Sequence, residues 1–301
     1  MGAGRRGTVF RSRTKLAVIA GFLSALAILP APAAPSRPVQ VDVKLIIATD
    51  VSRSIDLEEA QLQRQGIADV FLDPDVVKEI EAGPLGVIAV AMVDWAGYRS
   101  YSLVLDWTFV NDKASAAVLA EKIRHTGVTL GERTSISNAI ERSIELMNGS
   151  DNQISATRRV IDVSGDGPNN DGVSLQQVHD STANNGIIVN GLPIMDENSD
   201  GYFPDLDKYY AACVVAGKGS FQIVVKSFKD FGAAMRRKLV FEVSQNESLI
   251  REALHELEAN PLLKTIAATD SRVPSLPQFQ MPPSYPGGCD KYGGWRVSGS
   301  R

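Results

Sequence analysis

The sequence predicts an α/β fold, a doubly wound, mostly parallel sheet with one antiparallel strand and helices on both faces. Three observations carry that expectation. Short apolar runs alternate with segments of helical period from Val41 to Val243. The first run, Leu45 to Ala48, is apolar throughout, as in a strand buried on both faces of a parallel sheet. That run ends in Asp50, Ser52 and Ser54 and passes directly into a helical pattern, which puts three side-chain oxygens at the carboxyl edge of the sheet. Open α/β sheets bind their ligands at that edge.

Each element has its own local reason. Asp56-Leu57-Glu58-Glu59 has the spacing of a capping box, and Ala60, Ile67, Val70 and Phe71 share one face of a long helix running to about Ile80. Gly83-Pro84 breaks the chain, and Val87 to Val93 is the next apolar run. Leu103 to Val110 follows after a short connection, Gly97 to Ser102, that suits a hairpin and therefore the one antiparallel strand. Asn111 to His125 reads as a helix capped by Asn111 or Asp112. After the polar loop Gly127 to Arg133, a helix starts at Ser135, with Ile136, Ala139, Ile140, Ile144 and Met147 on one face and Asn148-Gly149 as its stop. The strand Arg159 to Ser164 breaks into Gly165-Asp166-Gly167-Pro168-Asn169-Asn170. The alternation continues with helix Ser174 to Asn184, strand Ile187 to Leu192, a short helix around Asp205 to Val215, strand Phe221 to Val225 and a helix from about Lys229 to Val243. Glu247 to Glu258 reads as one more helix, and residues 271–301 as an extended tail rich in Pro, Gly and Ser.

The first 33 residues stand apart from this pattern. Arg5, Arg6, Arg11, Arg13 and Lys15 precede a 14-residue apolar stretch, Leu16 to Leu29, and then Ala31-Pro32-Ala33. The stretch is short for a membrane span, and the three parts together read as a secretory signal peptide rather than an uncleaved anchor. The domain plan is therefore a signal peptide at 1–33, a linker at 34–40, the α/β domain at 41–243 and a C-terminal helix with a Pro/Gly-rich tail at 244–301. The protein is expected to be exported, periplasmic or secreted, without stable membrane insertion after cleavage. Beyond residue 33 the chain has 26 Lys+Arg against 35 Asp+Glu, a net charge of −9, which argues against nucleic acid or an anionic membrane as a partner. Cys213 and Cys289 are its only cysteines, an even pair suited to an oxidising compartment and expected to form a disulfide.

Three loops offer oxygens: Asp50-x-Ser52-x-Ser54, Thr134 and Asp166. Hydroxyls and carboxylates on tight turns suit a hard divalent cation such as Mg²⁺, which takes oxygen ligands and keeps some of its waters. The plainer account of each is a helix cap or a turn residue.

This arrangement resembles the von Willebrand factor type A domain and its metal-ion-dependent adhesion site, over roughly Val41 to Val243. It is similar to an exported bacterial group called domain of unknown function 1194, on the strength of Asp-Val-Ser-Arg-Ser and Val-Ser-Gly-Asp-Gly-Pro-Asn-Asn. The resemblance implies that Ser52 and Ser54 bind the metal directly, that Asp50 and Asp166 act directly or through water, and that Thr134 completes the set. It further implies a protein ligand offering an Asp or Glu carboxylate, a non-enzymatic role, and Mg²⁺ as the ion, with Mn²⁺ or Ca²⁺ as alternatives. The chain departs from the family pattern at two places. Glu132-Arg133-Thr134 stands where many members have Gly-Gly-Thr, and Gly165-Asp166-Gly167 where many have Thr-Asp-Gly.

Other motifs carry less. Asp196-x-Asn198-x-Asp200-Gly201 echoes a calcium loop, but a strand precedes it and Asp207 replaces the final Glu, so it reads as a polar surface loop. The histidines, His125, His179 and His255, are scattered. There is no Gly-x-Ser-x-Gly elbow and no P-loop. Two alternatives to an adhesion-type module are kept: a metal-dependent hydrolase, with Asp94 and His179 as the nearest candidates for a base, and a scaffold with a degenerate metal site.

Overall fold

The strand that the sequence places first lies in the interior of the sheet. The computed structural model describes residues 37–151, 153–244, 265–266, 285–290 and 292, together with residues 1, 2 and 4. The expected signal peptide, the helix Glu247 to Glu258 and most of the tail lie outside the described residues. β1 (Val39–Asp50) begins inside the expected linker and pairs in parallel with β2 (Ile88–Trp95) on one side and β4 (Ile154–Gly165) on the other. β3 (Tyr101–Val110) is antiparallel to β2, while β5 (Ile188–Pro193) and β6 (Gln222–Ile223) extend the sheet in parallel beyond β4. A two-residue strand, β7 (Thr265–Ile266), pairs antiparallel with β6, giving the order β3-β2-β1-β4-β5-β6-β7. The six principal strands thus hold the one expected antiparallel member, and β7 adds a second at the far edge.

β1 is apolar on both faces because both faces are covered. Leu45 and Ile47 join a core formed with α1 (Leu57–Leu72), α2 (Pro74–Glu81), α3 (Lys113–Arg124) and α7 (Phe231–Val243). Ile46 and Ala48 join the opposite core, with α4 (Ile136–Gly149), α5 (Leu175–Asn184), α6 (Leu206–Tyr209) and a π-helical turn, Tyr210–Val214. Each fully buried aliphatic side chain of this kind stabilises the fold by about 1.5–3 kcal/mol.

The expected long first helix is two. Asp73 ends α1 and caps α2, accepting from the Asp75 and Val76 amides, because Pro74 has no N–H to continue the first helix and is well placed at the start of a second. The other caps follow their residue types. Asp56 and Glu59 form the capping box of α1, Asp112 caps α3 and Ser135 caps α4.

The topology fixes where a ligand goes. From β1 the chain winds to β2 and β3, and then crosses back to β4 on the other side of β1. The carboxyl ends of β1 and β4 therefore flank a topological switch point, where the connections leave in opposite directions and open a crevice. Asp50 closes β1 there, and Asp166 directly follows β4.

Candidate metal centre

All five residues singled out in the sequence meet in that crevice. Ser52 Oγ lies 3.3 Å from Ser54 Oγ and accepts from Thr134 Oγ1 at 3.4 Å. Ser54 Oγ donates to Asp166 Oδ1 at 2.7 Å. Asp50 Oδ1 accepts from the Ser52 amide at 2.7 Å, which pins the turn after β1. Asp50, Ser52, Thr134 and Asp166 are buried, and Ser54 is half-buried.

Three loops are tied together to make this possible. The Val51 amide donates to Trp95 O, and Gly131 N donates to Val51 O, so the β2 end and the Thr134 loop both hold the first turn. Thr134 and Asn170 clasp each other, Thr134 N to Asn170 Oδ1 at 3.0 Å and Asn170 N to Thr134 O at 2.8 Å. Asn169 Oδ1 accepts from Ser137 N, in the first turn of α4. The Asn pair thus fastens the Asp166 loop to the Thr134 loop.

Both departures from the family pattern have a physical account. In the Thr134 loop the close approach is taken one residue earlier, at Gly131, where a Cβ would lie 2.4 Å from Ala96 Cβ. Glu132 and Arg133 are then free to carry side chains outward, where they are exposed. At Gly165 a Cβ would fall 2.8 Å from Asp50 Oδ2 and 2.8 Å from the Tyr210 hydroxyl, so a threonine there would fill the space between them.

The electrostatics of the site are unbalanced. Burial raises the Asp50 carboxyl well above its ordinary range, and repulsion from Asp166 adds to this, against the opposing hydrogen bonds of Ser52. Burial raises Asp166 as well, opposed by the hydroxyls of Ser54 and Ser199. Asp50 Oδ2 is buried with no hydrogen-bond partner, and so is the Tyr210 hydroxyl. Burial and the two carboxylates raise the pKa of Tyr210, which keeps it neutral. No Lys or Arg among the described residues pairs with Asp50 or Asp166. A buried carboxylate without a counter-charge is strongly unfavourable. A cation supplied from outside would relieve both acids at once, and the donor set of two carboxylates and three hydroxyls fits a hard divalent ion.

Sequence reasoning missed four residues. Asn169 and Asn170 lie in a stretch noted for its resemblance, yet nothing in their type foretold which backbone amides they would meet. Tyr210 reaches the site from the π-helical turn. Ser199 comes from the loop read as polar surface, donating to Asp166 Oδ2 at 3.2 Å. That loop's Asp196 is occupied by its own turn, accepting from Asn198 N, Asn198 Nδ2 and Phe228 N, so the calcium-loop motif forms no shared site.

The base candidates for hydrolysis have partners of their own. Asp94 receives both oxygens' hydrogen bonds from Arg64 Nη2, at 2.6 and 2.5 Å, with Thr49 bridging the pair. His179 sits on α5, with Nε2 3.2 Å from Val215 O. The expected disulfide, Cys213–Cys289, is present and ties residues 285–290 to the π-helical turn. Tyr209 links that strap to the Asp166 loop, its hydroxyl donating to Cys289 O at 2.7 Å and accepting from Asn169 N at 3.2 Å. Among the described residues no helix is long and apolar enough to cross a membrane.

Known proteins place this architecture. Crystal form 2 of proximal thread matrix protein 1 from the mussel byssus superposes with a TM-score of 0.52 at 14% identity, covering 69% of this chain and 50% of that one. A von Willebrand factor type A structure from Catenulispora acidiphila gives 0.45 at 14% identity, over 66% of this chain and 42% of that one. A further structure of the mussel protein, described as having a zinc-occupied MIDAS motif, gives 0.43 at 15% identity, over 66% and 46%. At such identities the likeness is one of fold, and the chain spans about half the length of the mussel structure. No curated protein matches the chain in sequence. The profile of the family described as "Protein of unknown function (DUF1194)" matches residues 40–247, and this chain belongs to that family.

Proposed function

We propose that the chain is an exported, metal-dependent protein-binding module of the adhesion type, without catalysis. The observation that carries this reading is the pair of buried carboxylates, Asp50 and Asp166, which converge with Ser52, Ser54 and Thr134 and have no cation of their own among the described residues. Ser52, Ser54 and Thr134 would hold Mg²⁺, with Asp50 and Asp166 acting directly or through water. When bound, the ion supplies a hard positive charge at the mouth of the crevice, able to attract an Asp or Glu carboxylate of a protein partner. The chain's own residues contribute the oxygen cage, the burial that strengthens it and the Asn clasp that fastens the Asp166 loop to the Thr134 loop. The module is taken as residues 41–243, preceded by a leader at 1–33 and followed by a C-terminal segment, 244–301. The disulfide supports an oxidising destination such as the periplasm or the extracellular space.

Calorimetry with Mg²⁺ or Mn²⁺ on the wild type and on Asp50→Ala tests the site directly. Binding by the wild type that is lost in the variant is the expected result. Equal affinity in the two proteins would remove the basis for the assignment.

A further inference from the structure

Beside Thr134 lies a cleft of about 300 Å³, walled by the β2–β3 turn and by the loop that delivers Thr134. Its lining includes Tyr98 and Arg99 from the turn, Glu132 and Arg133 from the loop, and Asp171. Glu132 and Arg133 occupy the two positions at which many members of the resembling family carry glycine. The side chains that replace those glycines therefore form a wall next to the metal centre.

The charges in the cleft are unequally committed. Asp171 Oδ2 accepts from the Tyr98 amide at 3.0 Å. Glu132 approaches Arg53, also exposed, at 4.0 Å. Arg99 and Arg133 are exposed and reach no carboxylate among the described residues. Two uncommitted guanidiniums are notable in a chain whose residues beyond 33 carry 26 Lys+Arg against 35 Asp+Glu. A guanidinium presents a planar fork of donors that matches a carboxylate in bidentate fashion.

We propose that this cleft is a second recognition point for the partner, and that the partner is an acidic segment. One Asp or Glu takes the ion, and another, close by in the same segment, takes Arg99 and Arg133. The inference rests on the metal-dependent reading above and adds the partner's sequence chemistry to it. An extended strand repeats its side-chain direction every second residue, over about 7 Å, so an Asp-x-Asp spacing lets both carboxylates face the same surface.

The probes are two capped peptides of glycine, one holding a single Asp and one holding Asp-Gly-Asp, titrated into the full chain with and without Mg²⁺. NMR shift changes read millimolar affinities. With Mg²⁺ present, the two-Asp peptide should bind about tenfold more tightly than the one-Asp peptide. In the double variant Arg99→Gln, Arg133→Gln, that advantage should vanish, while calorimetry shows Mg²⁺ affinity within about threefold of the wild type, a control for folding. Equal affinity for the two peptides, no binding of either to the Mg²⁺-loaded chain, or an advantage that survives in the double variant overturns the acidic-segment proposal and leaves the metal site standing. A wild type that binds no Mg²⁺ overturns the metal-dependent reading itself, and this inference with it.

Discussion

Two pairs of buried carboxylates lie in this domain, and they are treated differently. On the face covered by α7, Asp162 of β4 and Glu242 of α7 share a fully buried lysine: Lys238 Nζ forms ion pairs with both, and Glu242 Oε1 also accepts from Asn190 Nδ2 at 2.6 Å. At the carboxyl edge of the same sheet, Asp50 and Asp166 are equally buried but, among the described residues, have only hydroxyl and amide donors around them. In both pairs burial and the neighbouring acid raise a carboxyl, Asp162 in one and Asp50 in the other. The difference is the cation. The first pair has one within the polypeptide, Lys238, one helical turn from Glu242 on α7. The second pair has none among the described residues, and that imbalance supports the proposed ligand site.

If that contrast is right, removing the internal cation has the largest effect. Lys238→Met leaves two buried acids facing each other and should destabilise the domain by about 3–5 kcal/mol, read as a lower urea midpoint. Combining it with Asp162→Asn and Glu242→Gln removes the uncompensated charges and should recover most of the loss. A Lys238→Met protein as stable as the wild type would show that the lysine is not the counter-charge.

At the proposed metal site the corresponding cation would come from outside. Mg²⁺ at a hundred times its Kd should stabilise the wild type by about 2.7 kcal/mol, and Asp50→Asn should lose this gain. In EDTA the same variant should be no less stable than the wild type. Its amide removes a like-charge repulsion, while its oxygen still accepts from the Ser52 N–H.

The pH dependence has a definite sign. Asp50 and Asp166 are raised above the ordinary value of 3.8, so the folded apo protein holds protons that the unfolded chain has released. Their contribution to stability in EDTA is therefore greatest at low pH. It falls as pH rises from about 3.8 through the raised folded values, by at most about 1.4 kcal/mol per pH unit for each proton. Asp162 adds a slope of the same sign in both proteins, so the difference between wild type and Asp50→Asn isolates the site. Mg²⁺ competes with the protons, and its affinity should climb over the same range. A wild type and an Asp50→Asn variant with parallel pH profiles in EDTA would contradict the assignment.

How far these features were legible in the sequence follows from their range. The alternation of elements, the caps at Asp56, Asp112 and Ser135 and the oxygen triplet after β1 depend on residues within a few positions of one another, so their residue types announce them. The convergence of Thr134 and Asp166 with that triplet was legible only through the rule that ligands gather at the carboxyl edge, together with the resemblance. Long-range pairings left no local mark. Lys238 with Asp162, Arg64 with Asp94 and Tyr210 beside Asp50 join residues dozens of positions apart, and their types are equally at home on a surface or in a hydroxyl-bearing core. Asp94 reads as a candidate base in the sequence for that reason, since its arginine lies 30 residues earlier, on α1. The break at Pro74 was visible in principle, but the apolar face continues across it, and periodicity outweighed the proline.

The smallest effect concerns the residue that the sequence hid most completely. Ser199 Oγ donates to Asp166 Oδ2 at 3.2 Å and accepts from Gly201 N at 3.1 Å, so one hydroxyl both closes its own turn and orients an acid of the proposed metal site. Asp166 has its other oxygen on Ser54 at 2.7 Å. Without Ser199, the carboxylate keeps one tether and gains freedom to rotate. Loss of such an outer contact lowers metal affinity by about tenfold at the low end of the usual range, and a 3.2 Å contact belongs at that end. Ser199→Ala should thus weaken Mg²⁺ by about tenfold, well short of the loss in Asp50→Asn, and Ser199→Thr, which keeps the hydroxyl, should restore most of it. Calorimetry on the three proteins decides between the two roles. Should Ser199→Ala bind Mg²⁺ as the wild type does, the hydroxyl serves only its own turn, and Asp166 is held by Ser54 alone.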